Sequence, residues 1–255
     1  MKRGNGERLK VTAIVPAAGS GLRMKGNVPK QFLLLDGLPI LAHTLRALEP
    51  VPQIDEVILV VPESQISFCR TEIVNKYNLK KISKVIPGGE QRQDSVYKGL
   101  QAVSADTDWV MVHDGVRPFV TQAMIESAIE AAKEAKDGAV VAIPMRDTPK
   151  EVLSNRITKT LDRQRLWLAQ TPQVFRRSLF LRAHEEARSQ GIYGTDDAAL
   201  VERLGGCVQI ALGSEENIKV TTPADLELAE AIIATRRTTG HLPAGRTGGP
   251  KKGSA

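Results

Sequence analysis

The residues best suited to chemistry fall in a few short stretches. Behind the apolar run Val11–Val15 comes "PAAGSGLRMKGNVPK", which brings Ala17, Ala18, Gly19 and Gly21 and then Arg23, Lys25 and Lys30 within fifteen residues. Glycine lets backbone come close to a ligand, and successive N–H groups in such a loop form a concavity for an anion. The cations that follow suit a polyphosphate. No GK[ST] follows, so this is not a Walker A loop. Met24 also stands where the dinucleotide fingerprint needs its third glycine, which argues against an NAD-dependent dehydrogenase.

Two further stretches carry polar chemistry: "PGGEQRQDS" after Ile86 and "DGVRP" after His113. Asp114 at a strand end could hold Mg²⁺ directly or through water, because that ion keeps waters readily. Ser95 reads equally as an early helix residue, and Arg92 equally as a surface charge or a ligand contact. His113 reads as a residue at the edge of the core. Asp196 and Asp197 could form a metal pair, but a helix start after Thr195 explains them more simply. No Ser-His-Asp set or zinc cluster is visible. Cys69 and Cys207 lie far apart and read as small buried hydrophobes in a reducing compartment.

The elements that must position these residues are legible. The runs "VTAIV" (11–15), "EVILVV" (56–61), "ISKVI" (82–86), "WVMVH" (109–113) and "AVVAI" (139–143) are short and β-branched, as buried parallel strands tend to be. Segments of helical spacing separate them. The alternation predicts an α/β fold with a doubly wound, mostly parallel, Rossmann-like sheet. The polar stretches fall at the carboxyl ends of the strands, where such sheets bind ligands. From about 144 to 175 the rhythm breaks, and the chain reads as two extended segments forming an arm. An isolated pair of strands is marginal in water, so the arm must pack on something. Helices resume at "SLFLRAHEEARSQ" and "TDDAALVERLG", then a strand at "CVQIAL" and a last helix capped by Thr221 or Thr222 with Pro223 near its start.

The 255 residues carry a net charge of +6, but residues 1–10 hold +3 and residues 236–255 hold +5, which leaves −2 for the body. A nucleic-acid-binding face on that body is therefore unsupported. The sequence predicts a flexible tail at 1–9, one domain at 10–235 and a disordered basic tail at 236–255. No apolar run is long enough to span a membrane, and the apolar stretch near the start breaks at Pro16, too short for a secretory signal. The expectation is a cytoplasmic protein.

"PAAGSGLRM…PKQF" resembles the signature of the sugar-phosphate nucleotidyltransferases. "GGEQRQDSV", "VHDGVRP", "RDTPK", "TLDRQRLW", "QTPQVF", "TDDA" and "NIKVTTPADL" then match, in order, the 2-C-methyl-D-erythritol 4-phosphate cytidylyltransferases. The resemblance covers about residues 10–235 and implies transfer of CMP from CTP to a methylerythritol phosphate with release of pyrophosphate. It further implies Mg²⁺ and a place in isoprenoid precursor synthesis by the non-mevalonate route. It makes Arg23 and Lys30 stabilisers of the triphosphate, and Lys219 the cation between the α-phosphate and the incoming phosphate. Ala17, Ala18, Gly19, Gly89, Glu90 and Ser95 fall to the nucleotide. Asp114, Arg117, Thr148, Thr171 and Thr221 fall to the acceptor, with Asp114 also toward the metal. Thr148, Lys150, Arg163 and Thr171 lie in the arm. In the family that arm embraces a second subunit, so Arg163 would reach a partner's substrate phosphate in a homodimer. Trp167 then reads as an interface or core anchor. The chain departs from the family at Gly115 and Val116, where two alanines are usual. A related cytidylyltransferase for another polyol phosphate, such as ribitol 5-phosphate, and a non-catalytic nucleotide-binding regulator remain the alternatives.

Overall fold

The structure, a computed structural model, describes residues 8–19 and 29–238. The chain opens with β1 (Val11–Pro16), a small hairpin of β2 (Leu34–Leu35) and β3 (Leu38–Pro39), and α1 (Ile40–Leu48). Next come β4 (Glu56–Val61), α2 (Ile66–Phe68) running into a π-helical stretch (Cys69–Asn75), and β5 (Ile82–Pro87). The centre holds α3 (Arg92–Ala102), β6 (Trp109–Val112), α4 (Gln122–Ala135) and β7 (Gly138–Pro144). A hairpin of β8 (Lys150–Leu153) and β9 (Arg156–Thr160) precedes β10 (Trp167–Arg176). The chain then forms α5 (Arg177–Ser189), α6 (Asp197–Arg203), β11 (Val208–Leu212) and α7 (Pro223–Thr238).

Seven strands form one sheet in the order β11-β7-β10-β6-β1-β4-β5. All neighbours are parallel except β10, which runs antiparallel to both β6 and β7. The pleat sends alternate residues to opposite faces. Val11, Ala13, Val57, Leu59 and Met111 meet α1 and α4 on one side; Ile14, Ile58, Val60, Val110 and Val112 meet α3, α5 and α6 on the other. Both faces are thus covered, and the doubly wound, mostly parallel sheet is as the sequence predicts. Local chemistry sets the helix ends. The Thr121 hydroxyl accepts from Met124 N–H at the start of α4, Asp196 does the same from Ala199 N–H at α6, and Lys136 closes α4 in a left-handed conformation.

The arm is shorter than the sequence predicts. Residues 167–175 are not part of it: they lie in β10, in the middle of the sheet between β6 and β7. Pro172 hid this strand, because proline cannot donate to a ladder and argues against a central strand. The chain accommodates it at an irregularity, where the pairing with β7 shifts between Ala169 and Gln173. What projects is the hairpin of β8 and β9, paired only with each other, turned by Ser154 and Asn155 at positive φ and exposed along its whole length.

The last helix also runs further than expected. α7 continues to Thr238, so residues 236–238 belong to the folded body rather than to a disordered tail. Arg236 pairs with Glu216 at 2.8 Å and lies over the Phe119 ring. The rest of that predicted tail, and residues 1–7 of the first, fall outside the described residues. No helix of the described residues is long and apolar enough to cross a membrane.

Candidate active site

The chain leaves β1 toward β4 on one side and returns to β6 on the other, so the loops leaving β1 and β6 diverge. A crevice opens at such a switch point in an open α/β sheet. Here it is a cavity of about 290 Å³, whose lining includes Lys30 and Gln31 after the first loop, Gly89–Arg92 and Ser95 after β5, Asp114 after β6, and Lys219. Ala17, Ala18 and Gly19 complete one wall. Segments from near the two ends of the folded body therefore meet in one place. Arg23 falls outside the described residues.

Backbone hydrogen bonds in the walls are partly committed already. Ala17 donates its N–H to Val60 O at 2.7 Å and accepts from Gln31 Nε2 at 2.7 Å, so its N–H is committed while its carbonyl can accept one bond more. Gly89 N–H donates to Ser95 Oγ at 3.0 Å, and that hydroxyl donates to Gln91 O. Ser95 thus ties the turn together from inside α3 while lining the cavity. Gly88 is needed for close approach: a Cβ there would lie 2.2 Å from Ala18 Cβ and 2.9 Å from Ser95 Oγ.

Asp114 is the electrostatic centre of the site. Its carboxylate is nearly buried and faces three cations: Arg92 Nε at 2.8 Å, Lys219 Nζ at 2.8 Å and Arg117 Nε at 3.8 Å. Burial alone would push the carboxyl up, but Arg92, then Lys219 and Arg117, hold it well below the usual carboxylate range. Arg92, which the sequence left undecided, lines the cavity and also meets Asp197 at 2.7 Å. The metal-pair reading of Asp196 and Asp197 gives way: Asp196 caps α6 and Asp197 is that buried partner of Arg92. Among the described residues no group of three or more His, Cys, Asp or Glu could hold a metal. One carboxylate at the cavity, Asp114, does fit an ion that takes its other oxygens from phosphates and water, as Mg²⁺ does.

Behind Asp114 a relay of buried groups fixes the turn. Burial pushes the His113 imidazole down to about 4, so the ring is neutral. Its Nε2 faces Arg117 O at 3.1 Å and must carry the proton. Nδ1 therefore accepts from Thr171 Oγ1 at 3.0 Å, and the same hydroxyl accepts the Asp114 N–H at 3.0 Å. Arg117 NH1 donates to Asn217 O at 2.6 Å, and Asn217 Nδ2 donates to Thr171 O at 2.9 Å. The turn holding Asp114 and the loop holding Lys219 are so locked to β10.

Several residues predicted to touch the acceptor do not line this cavity. Thr171 and Arg117 sit behind Asp114 rather than on the cavity wall, and Thr171 lies in β10 rather than in the arm. The Thr221 hydroxyl and N–H both donate to Asp225 Oδ2, at 2.9 and 2.8 Å, while Thr222 caps α7, its Oγ1 accepting the Asp225 N–H at 3.3 Å. Thr148 is exposed near the arm, and Arg163, also exposed, donates to Arg146 O. Neither lines the cavity. Sequence reasoning missed the role of Gln31, although "PKQ" contained it, and the Arg92–Asp197 pair, whose members lie 105 positions apart.

Residues 11–235 match the family model described as 2-C-methyl-D-erythritol 4-phosphate cytidylyltransferase. The chain belongs to that family. Curated cytidylyltransferases of this name agree at high identity. The one from Syntrophus aciditrophicus is 51% identical over 225 residues, covering 88% of this chain and 96% of the relative. The one from Geotalea uraniireducens is 48% identical over 227 residues, covering 88% and 97%. Solved structures repeat the fold. The Thermus thermophilus cytidylyltransferase superposes with a TM-score of 0.73 at 33% identity, covering 89% of this chain and 100% of that one. The 4-diphosphocytidyl-2C-methyl-D-erythritol synthase from Anaerococcus prevotii gives 0.79 at 30% identity, covering 89% and 96%. At Gly115 a Cβ would lie 2.9 Å from Ala17 Cβ and 3.1 Å from Leu41 Cδ1, so the turn after β6 passes close to that wall.

Proposed function

We propose that this protein transfers CMP from CTP to 2-C-methyl-D-erythritol 4-phosphate, giving 4-diphosphocytidyl-2-C-methyl-D-erythritol and pyrophosphate. The observation that carries this reading is the convergence of Lys30, Asp114 and Lys219 on one cavity in a chain that matches the family from 11 to 235.

An oxygen of the acceptor phosphate attacks the α-phosphorus of CTP, and the bond from that phosphorus to the bridging β-oxygen breaks. Such transfers ask for positioning and charge neutralisation rather than covalent help from the protein. Lys30, with Arg23, neutralises the triphosphate and the leaving pyrophosphate. Lys219 draws the acceptor phosphate toward the α-phosphate. Ala18, Gly19 and the turn from Gly89 to Ser95 shape the nucleotide side. Asp114 is the residue that would hold Mg²⁺, directly or through water, and the ion would add positive charge beside the phosphates. Fixed donors of this kind are worth about 2.7–4 kcal/mol each when removed singly.

The arm supports a homodimer. Val152, Leu153 and Ile157 are 54%, 70% and 64% exposed on a hairpin with no other partner strand among the described residues, which suits a second copy better than water. In that assembly Arg163 reaches the partner's acceptor phosphate. Soluble phosphorylated substrates accord with a cytoplasmic setting.

The test is pyrophosphate release from CTP and Mg²⁺ with methylerythritol phosphate or ribitol 5-phosphate in parallel. Turnover with the first alone is the expected result. Turnover with ribitol 5-phosphate alone would reassign the acceptor, and CTP binding without any turnover would make the protein a regulator.

A further inference from the structure

The Arg92 guanidinium stands between carboxylates from two different elements. Nε donates to Asp114 Oδ1 at 2.8 Å, while NH1 lies 2.7 Å from Asp197 Oδ2. Arg92 lines the cavity; Asp197 does not, and is 1% exposed in the first turn of α6. The surroundings of Asp197 are otherwise poor for a charge. His184 Nε2 is 3.8 Å from its Oδ1, and that ring, with no hydrogen bond at either nitrogen, packs on Phe180 and Tyr97. Burial accordingly pushes the Asp197 carboxyl up, against the pull of Arg92. A carboxylate in the first turn of α6 gains modestly from the helix dipole, but a buried ion pair rarely outperforms well-packed apolar groups, so stability is a weak reason for this charge.

What the charge does is aim Arg92. A guanidinium has five N–H donors, and Asp114 takes only the one on Nε. Without Asp197 the remaining donors could turn to the phosphates of a bound nucleotide. Extra grip on CTP or pyrophosphate in their ground states does not lower the barrier, and Asp114 would lose its fixed partner. We propose that Asp197 is a positioning residue for the reaction: it holds the Arg92 guanidinium against the cavity wall, so that Arg92 orients Asp114 instead of gripping the triphosphate.

The proposal rests on the cytidylyltransferase reading, and calorimetric titration with CTP alone separates the two, since it needs no acceptor. Turnover of the unaltered protein tests the reaction itself. Asp197→Asn keeps the shape and removes the charge. It should bind CTP at least about threefold more tightly while kcat falls at least about tenfold. Adding Arg92→Met should abolish the gain in binding, because Asp197 acts only through Arg92. Weaker CTP binding, or a Kd and kcat both within about twofold of the parent, overturns the proposal, as does a gain that survives Arg92→Met. Should Asp197→Asn not fold, Arg92→Lys decides: an ammonium cannot span both carboxylates, so kcat should fall at least about tenfold, and a kcat within about twofold overturns it.

Discussion

Lys219 Nζ lies 2.8 Å from Asp114 Oδ2, so the site holds a half-exposed cation on a carboxylate before any phosphate arrives. The lysine side chain is 36% exposed and can turn toward a ligand, whereas Asp114 stays paired with Arg92 and Arg117 when it does. The carboxylate thus stands where a phosphate will compete for the same ammonium.

Lys219→Ala should therefore cost turnover and little stability. The expected loss is at least tenfold in kcat, about 1.36 kcal/mol of barrier. Lys30→Ala and Arg23→Ala should act alike. Pyrophosphate release and a thermal melt on each variant check this. Near-normal turnover in any one of them removes that residue from the machinery.

Acid should weaken the fold well before it protonates Asp114. His113 and His184 are buried and neutral, each pushed down to about 4 mainly by burial, so the unfolded chain binds protons that the folded one refuses. Their contribution is full above the ordinary histidine value near 6.5 and is lost as pH falls toward about 4. From pH 7 to 5 the loss should be about 2 kcal/mol for each ring. Asp114 has a depressed carboxyl, so its contribution persists to lower pH and goes only below the ordinary aspartate range near 4. Urea unfolding at pH 7 and pH 5 reads the slope, and His184→Phe should remove about half of it. An unchanged slope in that variant excludes His184 as a source.

Gly88→Ala should close the nucleotide side. The added carbon would meet Ala18 Cβ at 2.2 Å, a contact that only movement of the wall can relieve. CTP binding should weaken at least about tenfold, with the fold retained by circular dichroism. Unaltered CTP affinity would show that this wall yields freely.

The hairpin should decide assembly. Ile157→Glu places a charge on an apolar face, and light scattering should report a dimer for the parent and a monomer for the variant. Arg163→Ala should leave the dimer intact and raise KM for the alcohol phosphate. Unchanged acceptor kinetics would undo the idea of sites shared across two subunits.

The sheet and its helices were legible because β-branched runs and helical spacing carry strong local signals, as at Glu56–Val61 and Gln122–Ala135. β10 was not, because its middle reads Gln-Thr-Pro-Gln and the strand exists only through pairing with β6 and β7. At the site, polar loops after the strands announced Lys30, Gly89 and Asp114, while Lys219 stood out only through the family motif around it. The Thr171–His113 relay and the Arg92–Asp197 pair were silent, since ordinary polar residues acquire such roles only when distant segments meet.

The projecting hairpin has a defined root. Met145 N–H bonds to Leu166 O at 2.9 Å, immediately before β10 enters the sheet. Splicing the chain between those two positions with a tight turn would trim the protrusion and leave every plank of the sheet in place. Cutting one residue further would begin to shorten the strand whose Thr171 braces the Asp114 turn, so the chain allows that protrusion to be pruned on one side of Leu166 only.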